Sequence, residues 1–337
     1  MGDRVVTEQE SERPGPGQII KVPEFDLPFS SKIHPGKDSV LEQTSRWALA
    51  TGLVPNEVAA ARLRRSGIMY AGPRLVPGAS MDAARLTSDW TVFLFVIDDE
   101  FDDGAELGAQ PESARAAIED VIGSFRGVAR GRAAAFPHMA GINAAVADLG
   151  RRFEAQSTST AWLDRFRRHA EDHIWSKVTE AEHRAADGFL DVPSYVALRR
   201  ITSGAYVYSE LVEMTARAPV AERVRESPAW GRMLDAAADV WLGIQDICSC
   251  AKEVAAGDDL NLAAVMARST GSTLQQAIDD AYEWVGRRSA DFAGQRAQLD
   301  GLPDSTRYLD ALDELIGGHL AWSSQDNPRY AQAKTPT

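Results

Sequence analysis

The sequence has few of the features that mark secreted or membrane proteins. Only two of its 337 residues are cysteine, Cys248 and Cys250, and they lie two positions apart, which favours reduced thiols over a disulfide. The longest largely apolar run covers residues 90–97, far fewer than the roughly 20 residues needed to span a bilayer. The residues after Met1 are polar and contain no apolar signal-peptide core. We therefore expect a soluble, cytoplasmic protein that does not bind membranes.

Basic residues are scarce relative to acidic ones. The chain has 36 lysines and arginines against 49 aspartates and glutamates, which gives a formal net charge of −13. A nucleic-acid partner would require a basic surface, so this excess argues against one. The excess says less about a phosphorylated ligand, because net charge governs solubility and long-range steering rather than the contents of a site.

Short segments of alternating polarity are also absent, which argues against β-strands. From Asp38 onward helical spacing predominates, and several segments are apolar on more than one side, so the predicted fold is a single all-α bundle with helices in its centre. Residues 1–30 are polar and contain four prolines, and they predict a flexible leader before a domain of residues 31–337. Helices are predicted at residues 39–51, 56–66, 81–102, 111–126, 139–157, 162–186, 192–215, 230–256, 272–298 and 305–324.

An acidic cluster follows the apolar run at residues 90–97. Within it, Asp98 and Asp102 share one face if the helix continues, with their Cβ atoms about 5–6 Å apart. Like charges at that distance repel, and the helix dipole disfavours anions near a C-terminus. A Mg²⁺ ion between the carboxylates would remove both penalties, since Mg²⁺ takes oxygen ligands. The alternative interpretation is a solvated acidic helix end.

A second set of oxygen-bearing side chains lies on another apolar segment. Gln245, Ser249 and Glu253 are spaced four residues apart, so they form one stripe roughly 12 Å long on a helix. Lys252 lies almost on the same line and adds a cation. Bundle helices build metal sites from facing side chains, so the two clusters together predict a site for a metal ion and an anion. The alternative is an ordinary amphipathic helix.

These segments resemble the bacterial class I terpene cyclases, also called terpene synthases. Residues 98–102 resemble the aspartate-rich DDxxD motif of that family. The stripe from Gln245 to Glu253 resembles its Asn, Ser and Glu metal-binding triad, including the lysine before the last glutamate. Arg199 lies 46 residues before Gln245, where the family has its diphosphate-sensing arginine. Near the C-terminus, Arg329 and Tyr330 resemble the family's RY pair.

The resemblance implies a class I terpenoid synthase helical bundle that encloses a deep apolar pocket. It implies three Mg²⁺ ions and a reaction in which farnesyl or geranylgeranyl diphosphate is ionised and cyclised to a terpene hydrocarbon or alcohol. Farnesyl diphosphate is the slightly favoured substrate. Thr202 and Ser203 occupy the linker and effector positions, which would aim a backbone carbonyl at the nascent cation. The implied metal ligands are Asp98, Asp102, Gln245, Ser249 and Glu253. The implied diphosphate donors are Arg199, Lys252, Arg329 and Tyr330.

One residue departs from the family pattern. Gln245 stands where the triad normally begins with Asn, and its side chain is one methylene longer. The amide oxygen can still ligate a hard cation. Either the helix lies slightly further from the metal, or the neighbouring Asp246 compensates.

Aromatic side chains would shield and stabilise the carbocation through cation–π contacts. The candidates are Phe93, Phe95, Trp175, Trp241 and Trp322. Core packing is the stronger alternative for all of them except Phe95 and Trp322.

Two other functions and one other site are alternatives to this interpretation. A chain-elongating prenyltransferase would carry a second aspartate-rich motif, which is absent here, and a catalytically inactive helical binding protein is a further alternative. The histidines at 169 and 173 lack the adjacent glutamate of a zinc protease, so we expect a solvated helix face there. The sequence leaves open whether the chain acts as a monomer or as a homodimer.

Overall fold

The computed structural model of the protein describes residues 20–101, 106–128, 139–186, 188–302 and 305–331. Over these residues the chain forms helices and connecting segments and contains no β-strand, which confirms the all-α prediction. A 3₁₀ turn at Ile68–Tyr70 and a π turn at Trp322–Asp326 interrupt the α-helical pattern. The α-helices are α1 (Lys37–Ala50), α2 (Glu57–Arg65), α3 (Ala71–Leu75), α4 (Met81–Phe101), α5 (Glu106–Ala109), α6 (Pro111–Phe125), α7 (Ala140–Ala155), α8 (Thr160–Ala185), α9 (Val192–Thr202), α10 (Ala205–Thr215), α11 (Glu222–Arg225), α12 (Pro228–Ala256), α13 (Leu262–Thr270), α14 (Leu274–Leu299), α15 (Thr306–Ala321) and α16 (Pro328–Ala331).

Local sequence signals place the ends of the long helices. At the start of α8 the side chain of Ser159 accepts a hydrogen bond from the backbone N–H of Trp162, and Asp191 caps α9 in the same way. Helix α12 begins at Pro228, whose missing N–H costs nothing in the first turn. It ends at Gly257, which adopts the left-handed conformation with φ 85°.

Three helices form the centre of the bundle. In α10 every side chain except that of Tyr206 is buried, so this helix is surrounded by protein. Helix α4 packs against α1, α3 and α7, and α12 packs along α14 and crosses α10 and α15. A glycine permits the close approach of α12 to α14: a Cβ at Gly243 would lie 2.3 Å from Cγ2 of Val285. The prediction of helices in the interior is confirmed.

The predicted helix at 192–215 is wrong as a continuous element. It is broken into α9 and α10 around Gly204, which has φ +75°. Side chains other than glycine rarely adopt this conformation, so the glycine marks where the chain leaves the axis of α9. The break directly follows Thr202 and Ser203, to which the family resemblance assigns the linker and effector positions.

The N-terminal segment joins the domain earlier than predicted. The ring of Phe25 lies 5.7 Å from that of Tyr282, and the ring of Phe29 lies 5.8 Å from that of Phe292. Residues 20–30 therefore pack along α14, although the composition had assigned them to a flexible leader. Residues 1–19 lie outside the described part of the chain.

None of the helices in the described ranges combines the length and apolar character needed to cross a bilayer. Cys248 and Cys250 are both buried on α12 and do not form a disulfide.

Candidate active site

One cavity opens at the C-terminal ends of α4 and α12. It measures about 1070 Å³, counted together with its open mouth. Helix α4 contributes residues 91, 94, 95 and 98, whose spacing is that of a single helix face. The step from Thr91 to Asp98 is seven residues, or about 10 Å along the axis, so the acidic residue lies at the mouth and the threonine lies deeper. The rest of the wall comes from helices α3, α8, α9, α10, α15 and α16, from Trp322 in the π turn and from Asp258 and Leu260 after α12.

Asp98, the first aspartate of the acidic cluster, lies at this mouth and accepts a hydrogen bond from Nζ of Lys177 on α8. Burial would raise the pKa of Asp98, but the Lys177 ammonium, helped by Arg199, lowers it to about 2. The carboxylate is therefore ionised at neutral pH. The repulsion expected within the acidic cluster is offset here by a cation of the protein itself.

The neighbouring Asp99 is held from the other side of the mouth. Its Oδ1 accepts a hydrogen bond of 3.0 Å from the guanidinium of Arg329 on α16. This contact brings together the aspartate-rich segment and the Arg-Tyr pair, which are 230 residues apart in sequence. Asp102 falls outside the described residues, so its role as a metal ligand stays a prediction.

The polar stripe of α12 reaches the cavity at two of its three positions. Gln245 and Glu253 line the cavity. Ser249 is fully buried and is not among the lining residues, and its hydroxyl donates to the backbone carbonyl of Gln245 at 2.9 Å. Burial and the nearby charge of Asp246 raise the pKa of Glu253 to about 7. Nδ2 of Asn261 donates to Glu253 at 2.7 Å and fixes the position of its carboxylate.

Asp246 is fully engaged in holding the site together. Its carboxylate accepts hydrogen bonds from the hydroxyl of Tyr195 at 2.6 Å, from Nε of Arg199 at 2.9 Å and from the backbone N–H of Leu262 at 3.0 Å. It does not line the cavity. Asp246 therefore does not make up for the longer side chain of Gln245 at the metal site. The role of Asp246 is to orient Arg199.

The broken helix places Arg199 beside the linker and effector positions. The guanidinium of Arg199 lines the cavity and donates to Oγ1 of Thr202 at 3.2 Å. The backbone carbonyl of Ser203 accepts a hydrogen bond of 3.2 Å from the indole N–H of Trp241. Both Thr202 and Ser203 line the cavity.

A wall of stacked rings lies behind the polar mouth. Trp241 stacks on Tyr208 with ring centroids 5.0 Å apart, and it also stacks on His319. Phe95 meets Trp322 edge to face at 5.5 Å. All five side chains line the cavity, which therefore presents aromatic faces to its contents. Tyr330 packs against Trp322 at the mouth.

Two of the aromatic candidates lie elsewhere. Phe93 is fully buried and packs on Trp90 at 5.4 Å, so it does not line the cavity. The reason is geometric, because a step of two residues turns a helix by about 200° and places Phe93 on the face opposite Phe95. Trp175 lies under the guanidinium of Arg115, also outside the cavity.

Several lining residues were missed by sequence reasoning. His173 was expected on a solvated helix face, but it is buried, lines the cavity, and its Nδ1 lies 3.0 Å from the carbonyl oxygen of Ile201. Burial lowers the pKa of His173 to about 4, and the charge of Lys177 contributes. No motif marked Lys177, Tyr208 or His319, because each belongs to a helix whose pattern alone does not show which face meets the cavity.

The donor set fits Mg²⁺ by its chemistry. In the described ranges, no three or more His, Cys, Asp or Glu side chains are grouped closely enough to hold a metal ion by themselves. The cavity mouth instead combines the ionised carboxylate of Asp98 on α4 with the amide of Gln245 and the carboxyl of Glu253 on α12. These are hard oxygen ligands, and Mg²⁺ typically uses one or two carboxylates together with substrate phosphates.

Comparison with known proteins places the chain in a family. Residues 89–291 match the family described as terpene synthase family 2, C-terminal metal binding. This match covers more than half of the chain, and the protein belongs to that family. It is a class I terpene cyclase, an enzyme that acts on prenyl diphosphates. The resemblance noted in the sequence is confirmed.

Named relatives and a solved structure agree with this assignment. The chain is 29% identical over 302 residues to (+)-eremophilene synthase of Sorangium cellulosum, covering 89% of this chain and 90% of the relative. It is 25% identical over 322 residues to 4-epi-cubebol synthase, described as (2E,6E)-farnesyl diphosphate cyclizing, of Streptosporangium roseum, with 93% of each chain covered. Germacradien-4-ol synthase from Streptomyces citricolor shares the fold, with a TM-score of 0.75, 21% identity, and 90% of this chain and 98% of that chain covered.

Proposed function

We propose that the protein ionises farnesyl diphosphate in a Mg²⁺-dependent reaction, cyclises the carbocation to a sesquiterpene and releases diphosphate. One observation carries this proposal: a single cavity has oxygen donors and cations at its mouth and stacked aromatic rings behind them. An allylic diphosphate needs both parts, since its two ends differ so strongly in polarity. The relative from Streptosporangium roseum is described as cyclising farnesyl diphosphate, which supports the C15 substrate over the C20 one.

The mouth would stabilise the leaving diphosphate. Arg199, Lys252, Arg329 and Tyr330 line the cavity there and are suited to donate hydrogen bonds to phosphate oxygens. Asp98, Gln245 and Glu253, which line the cavity, would hold Mg²⁺, and Asp102 would add the second carboxylate of the aspartate-rich motif. Bound Mg²⁺ supplies positive charge that lowers the barrier to breaking the carbon–oxygen bond.

The interior would then hold the carbocation away from water. Phe95, Trp241 and Trp322 offer π-faces that stabilise positive charge, while Tyr208 and His319 extend the same wall. The hydrogen bond from Trp241 fixes the carbonyl of Ser203, the effector position, relative to that wall. The reaction ends when the final cation loses a proton or takes up water. We place the enzyme in the cytoplasm, as a monomer or a homodimer.

The test is incubation with C10, C15, C20 and C25 prenyl diphosphates. Diphosphate release and the mass spectra of hexane extracts are measured with Mg²⁺ and with EDTA. A cyclic C15 product that requires Mg²⁺ is expected. Release confined to the C20 substrate would contradict the proposed chain length, and no release from any substrate would contradict the function. Adding isopentenyl diphosphate to each reaction tests the prenyltransferase alternative, which would yield elongated chains.

A further inference from the structure

Lys177 is a buried cation in the wall of the cavity for which the family motifs give no role. It lies on α8, and its side chain is only 5% exposed. Its Nζ donates to Oδ1 of Asp98 and, at 2.8 Å, to Oε2 of Glu180. An ammonium group has three N–H donors, and among the described residues these two carboxylates are the acceptors. The third donor remains for a ligand of the cavity.

The two carboxylates keep Lys177 charged. Both carboxylates accept hydrogen bonds from the buried ammonium, so its charge is balanced from two sides. If Asp98 turned to another partner, the ammonium would keep its pair with Glu180, and a second N–H donor would become available to an anion in the cavity. Because the two groups are paired, a change in the binding partners of Asp98 also changes the binding partners of Lys177.

We propose that Lys177 is a further diphosphate-binding residue, which the carboxylate of Asp98 holds in place until metal binding engages that carboxylate. The inference rests on the proposed function, since it assumes that Asp98 is a metal ligand and that diphosphate enters the mouth. Lys177 would then keep Glu180 as its fixed partner and exchange Asp98 for a phosphate oxygen. The exchange leaves no buried charge unpaired in either state.

Hydrogen bonds between α8 and the end of α4 hold Lys177 and Asp98 close together. Seven residues further along α8, the guanidinium of Arg184 donates to the backbone carbonyls of Phe101 at 2.6 Å and Gly108 at 3.3 Å. These bonds fix the end of α4 to α8. Asp98 would therefore stay close to Lys177 when its charge is shared with a metal ion.

The test measures metal and anion binding rather than turnover. Mn²⁺ binding to the protein without substrate is followed by the electron paramagnetic resonance of free Mn²⁺. Pyrophosphate binding at saturating Mg²⁺ is followed by calorimetry. Because Lys177 competes for Asp98, we expect Lys177→Met to bind Mn²⁺ several-fold more tightly than the unchanged protein. We expect the same variant to bind pyrophosphate about tenfold to hundredfold more weakly, as for loss of a charge-assisted hydrogen bond.

Lys252→Met is the matched control, because it removes an ammonium from the same cavity. Lys252 lies on α12 and is exposed. It should weaken pyrophosphate binding while leaving the affinity for Mn²⁺ unchanged. Equal effects of both variants on Mn²⁺ would mean that charge alone, not exchange at Asp98, is responsible, and would overturn the proposal.

The remaining outcomes separate this inference from the proposed function. If the wild-type protein binds Mg²⁺ and pyrophosphate and Lys177→Met binds pyrophosphate with the same affinity, only the proposed role of Lys177 is overturned. Failure of the unchanged protein to bind pyrophosphate with Mg²⁺ overturns the proposed function as well. If Lys177→Met does not fold, the double variant Lys177→Met with Glu180→Gln removes both members of the buried pair and is measured in the same way, with the same expected directions.

Discussion

His319 lies face to face with Trp241 in the wall of the cavity. The two ring centroids are 3.6 Å apart, the ring planes are within 9° of parallel, and Nε2 of His319 is 3.2 Å from the backbone carbonyl oxygen of Trp241. As a neutral ring, His319 donates through Nε2 and keeps Nδ1 as an acceptor. Burial lowers its pKa to about 3, partly relieved by the bond to Trp241, and the charge of Arg199 lowers it further. The enzyme therefore carries a neutral imidazole where a carbocation would pass.

This low pKa predicts a loss of stability in acid. Below pH 6.5 the unfolded chain binds a proton at His319, whereas the folded protein does not until the pH nears 3, so the free energy of unfolding falls as the pH falls through this window. The slope due to one such group approaches about 1.4 kcal/mol per pH unit. We expect the variant His319→Asn to show a flatter dependence between pH 6.5 and 5, measured by urea unfolding. An unchanged slope would mean that His319 titrates normally in the folded protein.

Position 245 on α12 is expected to tolerate another amide side chain. Its side chain lines the cavity, and Asp246 is already bound to Arg199 and Tyr195, so the amide of Gln245 must itself serve any metal ion at this point. We expect Gln245→Asn to keep or raise turnover at saturating Mg²⁺, because Asn also offers an amide oxygen. Gln245→Leu, of similar size but without that oxygen, should lose most activity and require more Mg²⁺.

The measurement is diphosphate release as a function of Mg²⁺ concentration, with circular dichroism to confirm that each variant is folded. Abolished activity in a folded Gln245→Asn protein would show that Gln245 is not a ligand analogue. Equal activity in Gln245→Leu and the unchanged protein would lead to the same conclusion.

The sequence allowed prediction of those parts of the site that depend on local spacing. Phe95 and Asp98, three residues apart on α4, share one helix face, and so do Gln245 and Glu253, eight residues apart on α12; such periodicity can be read from one segment. The same reasoning explains the errors. Phe93 seemed equivalent to Phe95 because both are aromatic, whereas the helical turn between them separates core from cavity.

Other features depend on which helix packs against which, and a single sequence does not show this. Lys177 is found only when α8 is placed beside the end of α4, since 79 residues separate it from Asp98. His173 was assigned to solvent for the same reason: its own helix is polar on average, and its burial is decided by the broken segment around Ile201. The places of Lys177 and His173 in the site therefore depend on contacts between helices that are distant in sequence, and local patterns do not reveal these contacts.

Substitution of Asp246 is expected to reduce both stability and catalysis. The variant Asp246→Asn would leave the guanidinium of Arg199 without its carboxylate in a largely buried setting, at a cost of about 3–5 kcal/mol. Because Asp246 orients Arg199 at the cavity, turnover should also fall at temperatures where the variant is still folded. Thermal unfolding and diphosphate release measure the two effects separately.

Asp239 is the matched control on the same helix. It is equally buried and accepts hydrogen bonds from Arg200 at 2.7 Å and from Arg288 at 2.6 Å, but none of the three lines the cavity. We expect Asp239→Asn to lose comparable stability while it retains turnover per folded molecule. A similar fall in turnover for both variants would argue that Asp246 acts only through the stability of α12.

Phe95 and Phe93 predict opposite outcomes for the same substitution. Phe95 meets Trp322 edge to face in the cavity wall, and the guanidinium of Arg329 lies over its ring at 5.7 Å. In Phe95→Leu the cavity loses a π-face, worth roughly 0.5–2 kcal/mol to a nearby cation, so we expect turnover to fall and the products to shift toward those quenched early. Phe93→Leu changes only the packing on Trp90 and should cost about 1 kcal/mol of stability with an unchanged product. The products of both variants are measured by gas chromatography of hexane extracts. An equally large product shift in Phe93→Leu and Phe95→Leu would contradict the prediction. It would mean that core packing, and not the ring facing the cavity, controls the course of the cation.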